Sequence, residues 1–425
     1  MTIEAKLQNL HRQIGLPSAG SDPGRDPPDS RRGRYRLEER LPGSMMGSSD
    51  GPVFVAETTR AEDTIHGLHA FDGLRSVSAA SLAMIAKDGD LEYADVSKAV
   101  FLDTETTGLG MGAGTYVFLV GAGYLDGNEF RVKQFFLTGP GHEVQFLSDL
   151  SRFLTRFSTV VTFNGKAFDL PLLENRYIRH RQRPPFVDPP HIDLLHPARR
   201  IWKRRLESCS LSSLESQILG LARSQEDVPG WEIPSRYFRY QRSGDSRELE
   251  GVFYHNLQDI LSLAALLVHV DRVMANPVCG LITNGLDFLS LGKAYARGGY
   301  TDTALVCFDE ALRRPMEAED RSDCLMRMAT LQKRDRRWDV AVQLWEALID
   351  EGGEPALYGR VELSKYYEHV ERDYMAALEQ VQAALRVAEL YESSVPDANE
   401  RDLQHRLSRL LTRSMKRGDW ARSLR

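Results

Sequence analysis

The order of apolar runs between residues 98 and 179 constrains the fold more than any other feature. Residues 98–103 (KAVFLD) are an apolar run ending in a carboxylate. Residues 116–125 (YVFLVGAGYL) are a second β-rich run, and residues 128–137 alternate as a half-exposed strand does. Asp126-Gly127, between them, is a hairpin signal. A helical stretch over 143–157, a short strand over 160–163 and a helix-like segment opening at Asp169 follow. Three strands, then helix, strand and helix, is the order of a mixed sheet flanked by helices. An α/β domain is therefore expected over residues 97–275.

The flanks read differently. Residues 1–15 can form a short amphipathic helix on Leu7, Leu10 and Ile14, and 17–33 are rich in Pro, Gly, Ser and Asp, as a disordered linker is. Together 1–35 read as a disordered or partly helical segment. Residues 36–96, with a short apolar run at 53–56 and a helix near 79–86, read as an extension packed on the α/β domain. From 280 to 425 the pattern is helical throughout. The start lacks the layout of a signal peptide and no apolar run is long enough to span a bilayer, which points to a cytoplasmic protein without membrane contact. Cys209, Cys279, Cys307 and Cys324 are scattered, with no zinc-ligand spacing. The formal net charge of -6 leaves any grip on nucleic acid to local basic patches.

Three short motifs carry chemistry. In FLDTETTGLG (101–110), Asp103 and Glu105 are two apart on a strand and so share a face. Two adjacent carboxylates repel unless a divalent cation with a taste for hard oxygen ligands, such as Mg²⁺ or Mn²⁺, lies between them. In TFNGKAFDLPLL (162–173), Asp169 opens a helix after a short strand. In FYHNLQDILSLAALL (253–267), His255 and Asp259 are four apart on an amphipathic helix and face one side. Singly, each has a simpler reading: a solvated strand end, a helix N-cap, an ordinary polar helix face.

Together, in this order and spacing, the motifs resemble those of the DEDD exonuclease superfamily on the RNase H-like fold. The resemblance implies a two-metal nuclease, its Mg²⁺ or Mn²⁺ ions roughly 4 Å apart at the scissile phosphate. Asp103 would bridge both ions, Glu105 and Asp259 would complete the first site, and Asp169 would hold the second, largely through water. It also implies that Thr106, Thr107, Gly108 and Leu109 meet the terminal nucleotide and that Asn164 holds the strand backbone. Family branches place a His five residues before the last Asp or a Tyr four before it. Here those positions hold Tyr254 and His255, so the residue types are exchanged. On a regular helix i−4 lies over Asp259, whereas i−5 is rotated roughly 140° away. Imidazole titrates near neutrality, and a phenol does so near pH 10. Both arguments favour His255 as general base.

A basic tract lies between the second and third motifs: Arg176, Arg179, Arg181, Arg183, Arg199, Arg200, Lys203, Arg204 and Arg205. It suits phosphate contact, or equally a solvated face. Asp193, within it, reads as structural or as a neighbour of the site. Residues 289–315 read as a tetratricopeptide repeat, with Leu291, Gly292 and Tyr295 on its first helix and Ala304, Phe308 and Ala311 on its second. Weaker copies run through Ala329, Trp338, Ala341 and Trp345, and through Leu363, Tyr367, Tyr374, Ala377 and Ala384. Such a stack offers a groove to a protein partner. The fold expected is thus an RNase H-like α/β domain followed by an all-α tetratricopeptide-type domain. That pairing resembles the bacterial YprB family of mitomycin repair factor B-like exonucleases, which implies 3′→5′ DNA cleavage in repair beside a superfamily 2 helicase. An exoribonuclease and a catalytically silent scaffold are the competing readings.

Overall fold

The computed structural model describes residues 34–47, 51–108, 114–186, 189–389 and 398–417. The helix and linker expected over 1–33, and Leu109, lie outside the described residues. Labels here cover the main sheet and helices of eight residues or more.

Among the described residues seven strands form one mixed sheet: β1 (Gly43–Met46), β2 (Val53–Ala61), β3 (Ala99–Thr106), β4 (Val117–Asp126), β5 (Glu129–Leu137), β6 (Thr159–Thr162) and β7 (His191–Asp193). Their order is β1-β2-β5-β4-β3-β6-β7. The β4–β5 hairpin turns at Gly127, whose φ of 59° suits a tight turn. β3, β6 and β7 run parallel, and the other neighbours are antiparallel. β1 and β2 extend the sheet rather than only packing on it, because β1 pairs with β2 and β2 pairs with β5 along its full length.

Helices cover both faces. α2 (Glu143–Leu154) and α3 (Asp169–Arg179) lie over one, with Val100 and Leu102 of β3 in their core. α1 (Ala79–Ala86), α4 (Leu195–Trp202) and the long α6 (Glu250–Ala275) cover the other, against Phe101, Phe130, Val161 and Ile192. α5 (Ile233–Ser243) sets Tyr237 against Phe118, the rings stacked 4.1 Å apart. This is an RNase H-like arrangement of a mixed sheet between helical layers.

Among the described residues seven helices of this length follow: α7 (Gly285–Arg297), α8 (Thr301–Leu312), α9 (Ala318–Arg334), α10 (Trp338–Glu351), α11 (Gly353–Tyr366), α12 (Tyr374–Ala388) and α13 (Glu400–Arg417). The small and aromatic residues picked out in the sequence do packing work: Leu291, Ala304, Phe308, Ala311, Ala341, Trp345 and Ala377 are buried. Gly292 lets α7 and α8 approach, since a Cβ there would stand 2.5 Å from the Phe308 ring. The core is continuous from the α6 face of the sheet through α4 into α7 and α8. Buried Asp287 of α7 pairs with Arg205, 2.9 Å away, just beyond α4. Among the described residues no helix is long and apolar enough to cross a membrane.

Candidate active site

The site forms where β3 runs out of apolar residues. Ala99 to Leu102 are buried, and the strand then continues as Asp103, Thr104 and Glu105 before a register shift between Glu105 and Thr106. Alternation puts Asp103 and Glu105 on the Phe101 side, toward α6, and Thr104 on the opposite side. Thr104 donates from Oγ1 to Asp169 Oδ1 at 2.5 Å. Asp169 is the first residue of α3, and the N-cap position belongs to Phe168. Its carboxylate therefore stands at the helix start beside Thr104, where the Thr104 hydroxyl and the backbone N–H groups of Asp169 and Thr104 donate to it.

Asp103 is held from α6. Asn256 Nδ2 donates to Asp103 Oδ2 at 2.8 Å and to its carbonyl oxygen at 3.2 Å. Asn256 is itself buried and fixed by Gln134, whose Nε2 donates to Asn256 Oδ1 at 2.9 Å and to the Phe253 carbonyl at 2.8 Å. Asp103, Gly121 and Gln134 stand in register across β3, β4 and β5. Gly121 gives the space for this brace, because a Cβ there would stand 2.3 Å from Asn256 Oδ1.

Asp259, one turn after His255, meets Arg223 from the loop before α5. Arg223 also donates to Glu215, with Nε 2.6 Å from Oε2, and to Asp227 Oδ2 at 3.2 Å. His255 Nδ1 is 2.8 Å from Asp227 Oδ1 and 3.1 Å from Arg223 Nη1. The two contacts pull the tautomer in opposite directions: a carboxylate only accepts, so Asp227 favours the ring proton on Nδ1, whereas a guanidinium only donates, so Arg223 favours it on Nε2. Nε2 lies 3.5 Å from Asp259 Oδ2.

The four carboxylates share an electrostatic environment. Each keeps some accessible surface but lies deep among protein atoms. Burial, then the charges of Asp259, Glu105 and Asp169, push the Asp103 carboxyl well above its ordinary range. Burial, then Asp259 and Asp169, do the same to Glu105. Burial raises Asp169 against the Thr104 hydrogen bond, and raises Asp259 against the opposing charges of His255 and Arg223. Clustered oxygen donors that repel one another suit a divalent cation. Among the described residues no three such side chains form a ready-made coordination shell. Thr104, Asn256 and Arg223 hold the carboxylates individually instead, so the fit to metal rests on donor chemistry and charge.

The other expected residues fall around this cluster. Thr106 Oγ1 donates to the Gly108 carbonyl at 2.9 Å, and Thr107 Oγ1 accepts from Tyr116 N at 2.9 Å. Gly108 has open space where a Cβ would be, so crowding is not the reason for glycine there. Asn164 adopts φ 66°, a left-handed conformation Asn tolerates. Asp193 is a backbone clamp: Oδ1 accepts from Asn164 N at 2.7 Å and Leu195 N at 3.1 Å, and Oδ2 from Lys166 N at 3.1 Å. Much of the basic tract is structural. Arg176 is buried against Glu143 at 2.5 Å, Arg200 donates to the Ile85 carbonyl, and Arg204 and Arg205 pair with aspartates of the C-terminal helices. Asn256, Gln134, Arg223, Asp227 and Glu215 had no separate signal in the sequence, although Asn256 sits inside the third motif.

The RNase_H_2 family of the RNase H superfamily matches residues 100–271, a span that includes all four carboxylates. The Bacillus subtilis (strain 168) "Uncharacterized protein YprB" is 33% identical over 332 residues, 75% of this chain and 77% of that protein. Among solved structures, the family B DNA polymerase of the archaeon Pyrobaculum calidifontis aligns with a TM-score of 0.31 at 15% identity. That alignment covers 47% of this chain and 29% of the polymerase chain. With its sheet order, its motif spacing and its likeness to YprB along most of both chains, this protein belongs to the RNase H superfamily and, within it, to the YprB family.

Proposed function

We propose that the protein is a metal-dependent 3′→5′ exonuclease acting on DNA, in the cytoplasm and in repair. The observation that carries the reading is the meeting of Asp103, Glu105, Asp169 and Asp259, from three separate motifs, in one mutually repelling cluster. Asp103, Glu105 and Asp259 would hold one Mg²⁺ or Mn²⁺, and Asp103 with Asp169 a second. Bound ions would polarise the scissile phosphate and neutralise the charge that builds on it. The chain's own residues do the rest. Asn256 and Thr104 fix the Asp103 and Asp169 carboxylates, so little reorganisation is needed as charge develops. His255 takes the proton of the attacking water at Nε2, in the tautomer that Asp227 favours and Arg223 opposes. Thr106, Thr107, Gly108, Leu109 and Asn164 are proposed to seat the strand end. The C-terminal helices, read as tetratricopeptide-type, would present a groove to a protein partner, a superfamily 2 helicase by family resemblance.

The test is mononucleotide release from DNA and RNA oligonucleotides blocked at either end, with Mg²⁺ or Mn²⁺. Release from 5′-blocked but not 3′-blocked DNA is expected. Release from RNA alone would move the substrate to RNA. No release from any strand would favour a silent scaffold.

A further inference from the structure

The basic tract separates into cations that hold the fold together and cations that face a cavity. Arg204 and Arg205 are committed to Asp320 and Asp287, Arg200 to a carbonyl and Arg176 to Glu143. Arg199 and Lys203 instead line a cavity of about 540 Å³ with Phe163, Asn164, Glu207 and Ser210. They are four apart on and just past α4, so they stand on one face, where like charges repel. Arg199 has no side-chain hydrogen bond or ion pair among the described residues, and Lys203 Nζ reaches only the Glu207 carbonyl, at 2.9 Å. The positive fields of both reach the cavity wall: burial raises the Cys209 thiol above its ordinary value, and Lys203 and Arg199 oppose part of that rise. Glu207, an exposed acid, also lines the wall, and two cations outnumber it.

The cavity is joined rigidly to the active site. Asn164, in its wall, is five residues before Asp169 and is pinned by Asp193, which pins the start of α4 as well. It therefore opens at the same sheet end as the carboxylates, where β3 and β6 run parallel.

We propose that this cavity is a second phosphate-binding subsite, in which Arg199 and Lys203 take backbone phosphates of a nucleic-acid strand some nucleotides away from the bond being cut. It deepens the nuclease reading and rests on it. A strongly acidic reaction centre repels a polyanion before metal is bound, and a cationic pair alongside offsets that repulsion and sets the strand's path. Guanidinium and ammonium groups recognise phosphate without reading bases, so the subsite is indifferent to sequence.

The experiment measures binding of a fluorescein-labelled 20-mer of thymidylate to the full chain in EDTA, across a salt series. Wild type is compared with Arg199→Ala/Lys203→Ala. Both residues are exposed, and an unchanged melting temperature checks that the variant folds. The double variant is expected to bind roughly ten-fold or more weakly. Its slope of log affinity against log salt is expected to fall by about 1.4, the release of two single-strand phosphate contacts. Arg199→Glu should weaken binding further. Affinity and slope equal to wild type would overturn the subsite. Mononucleotide release by wild type with Mn²⁺ is scored beside it: its absence sinks the nuclease reading, whereas unchanged binding in the variant sinks the subsite alone.

Discussion

At the scale of single residues, the site depends on what holds each carboxylate as much as on the carboxylates. His255 shows the same logic. Its position one turn before Asp259 was readable from helix geometry, but its orientation by Asp227 was not, because residue 227 is 28 positions away in sequence. His255→Ala is expected to lower kcat by about 10²-fold or more, the usual weight of a positioned general base. Tyr254→Phe should cost less than a tenth of that loss, and Asp227→Asn an intermediate amount. Steady-state cleavage of a labelled oligonucleotide checks all three, and a larger loss in Tyr254→Phe would move the role to the phenol. Arg223 could not be found from sequence for a related reason. It lies in a loop with no periodicity, and although Glu215 and Asp227 are near it in sequence, only the fold brings it to Asp259.

At the scale of elements, the central strands and helices were legible because their apolar periodicity is local. β3, β4, β5 and α3 begin within a few residues of where the pattern puts them. β2 was not legible as a sheet strand. Only its first four residues are buried, and the rest, from Glu57 onward, face water on a strand whose partner is some seventy residues away. The row Asp103–Gly121–Gln134 is likewise a product of register, which no local pattern records. It makes a sharp prediction. Gly121→Ala puts a methyl where Asn256 Oδ1 stands, so the brace on Asp103 must move. The variant should lose about 1–3 kcal/mol of stability, as overpacked cores do. It should also lose more activity than Gly127→Ala, a substitution at the hairpin tip far from the brace. Denaturant unfolding with parallel cleavage assays decides it, and a fully active Gly121→Ala would show that the brace is dispensable.

At the scale of the molecule, the nuclease fold and the first C-terminal helix pair share one core, sealed by Arg205 and Asp287. The chain therefore stores two opposed pH dependences in one folding unit. His66, His69 and His269 are held neutral by burial, down to about 4, 4 and 3. Their contribution is complete above the unfolded value near 6.5 and is lost as pH falls through the folded values. Asp103 and Glu105 have raised folded values, so their contribution is complete below the ordinary carboxylate range and is lost as pH rises through the folded values. Absolute melting temperatures mix the two, but the increment produced by a metal isolates the carboxylates. The most direct measurement is thermal unfolding of the full chain in EDTA and in saturating Mn²⁺, at pH 5.5 and pH 8, for wild type and Asp103→Ala. If the four carboxylates form one divalent-metal site, Mn²⁺ raises the wild-type melting temperature by about 5 °C at pH 8, by less at pH 5.5, and leaves Asp103→Ala unmoved. A wild type that Mn²⁺ does not stabilise, or an Asp103→Ala variant stabilised as much as wild type, would contradict it.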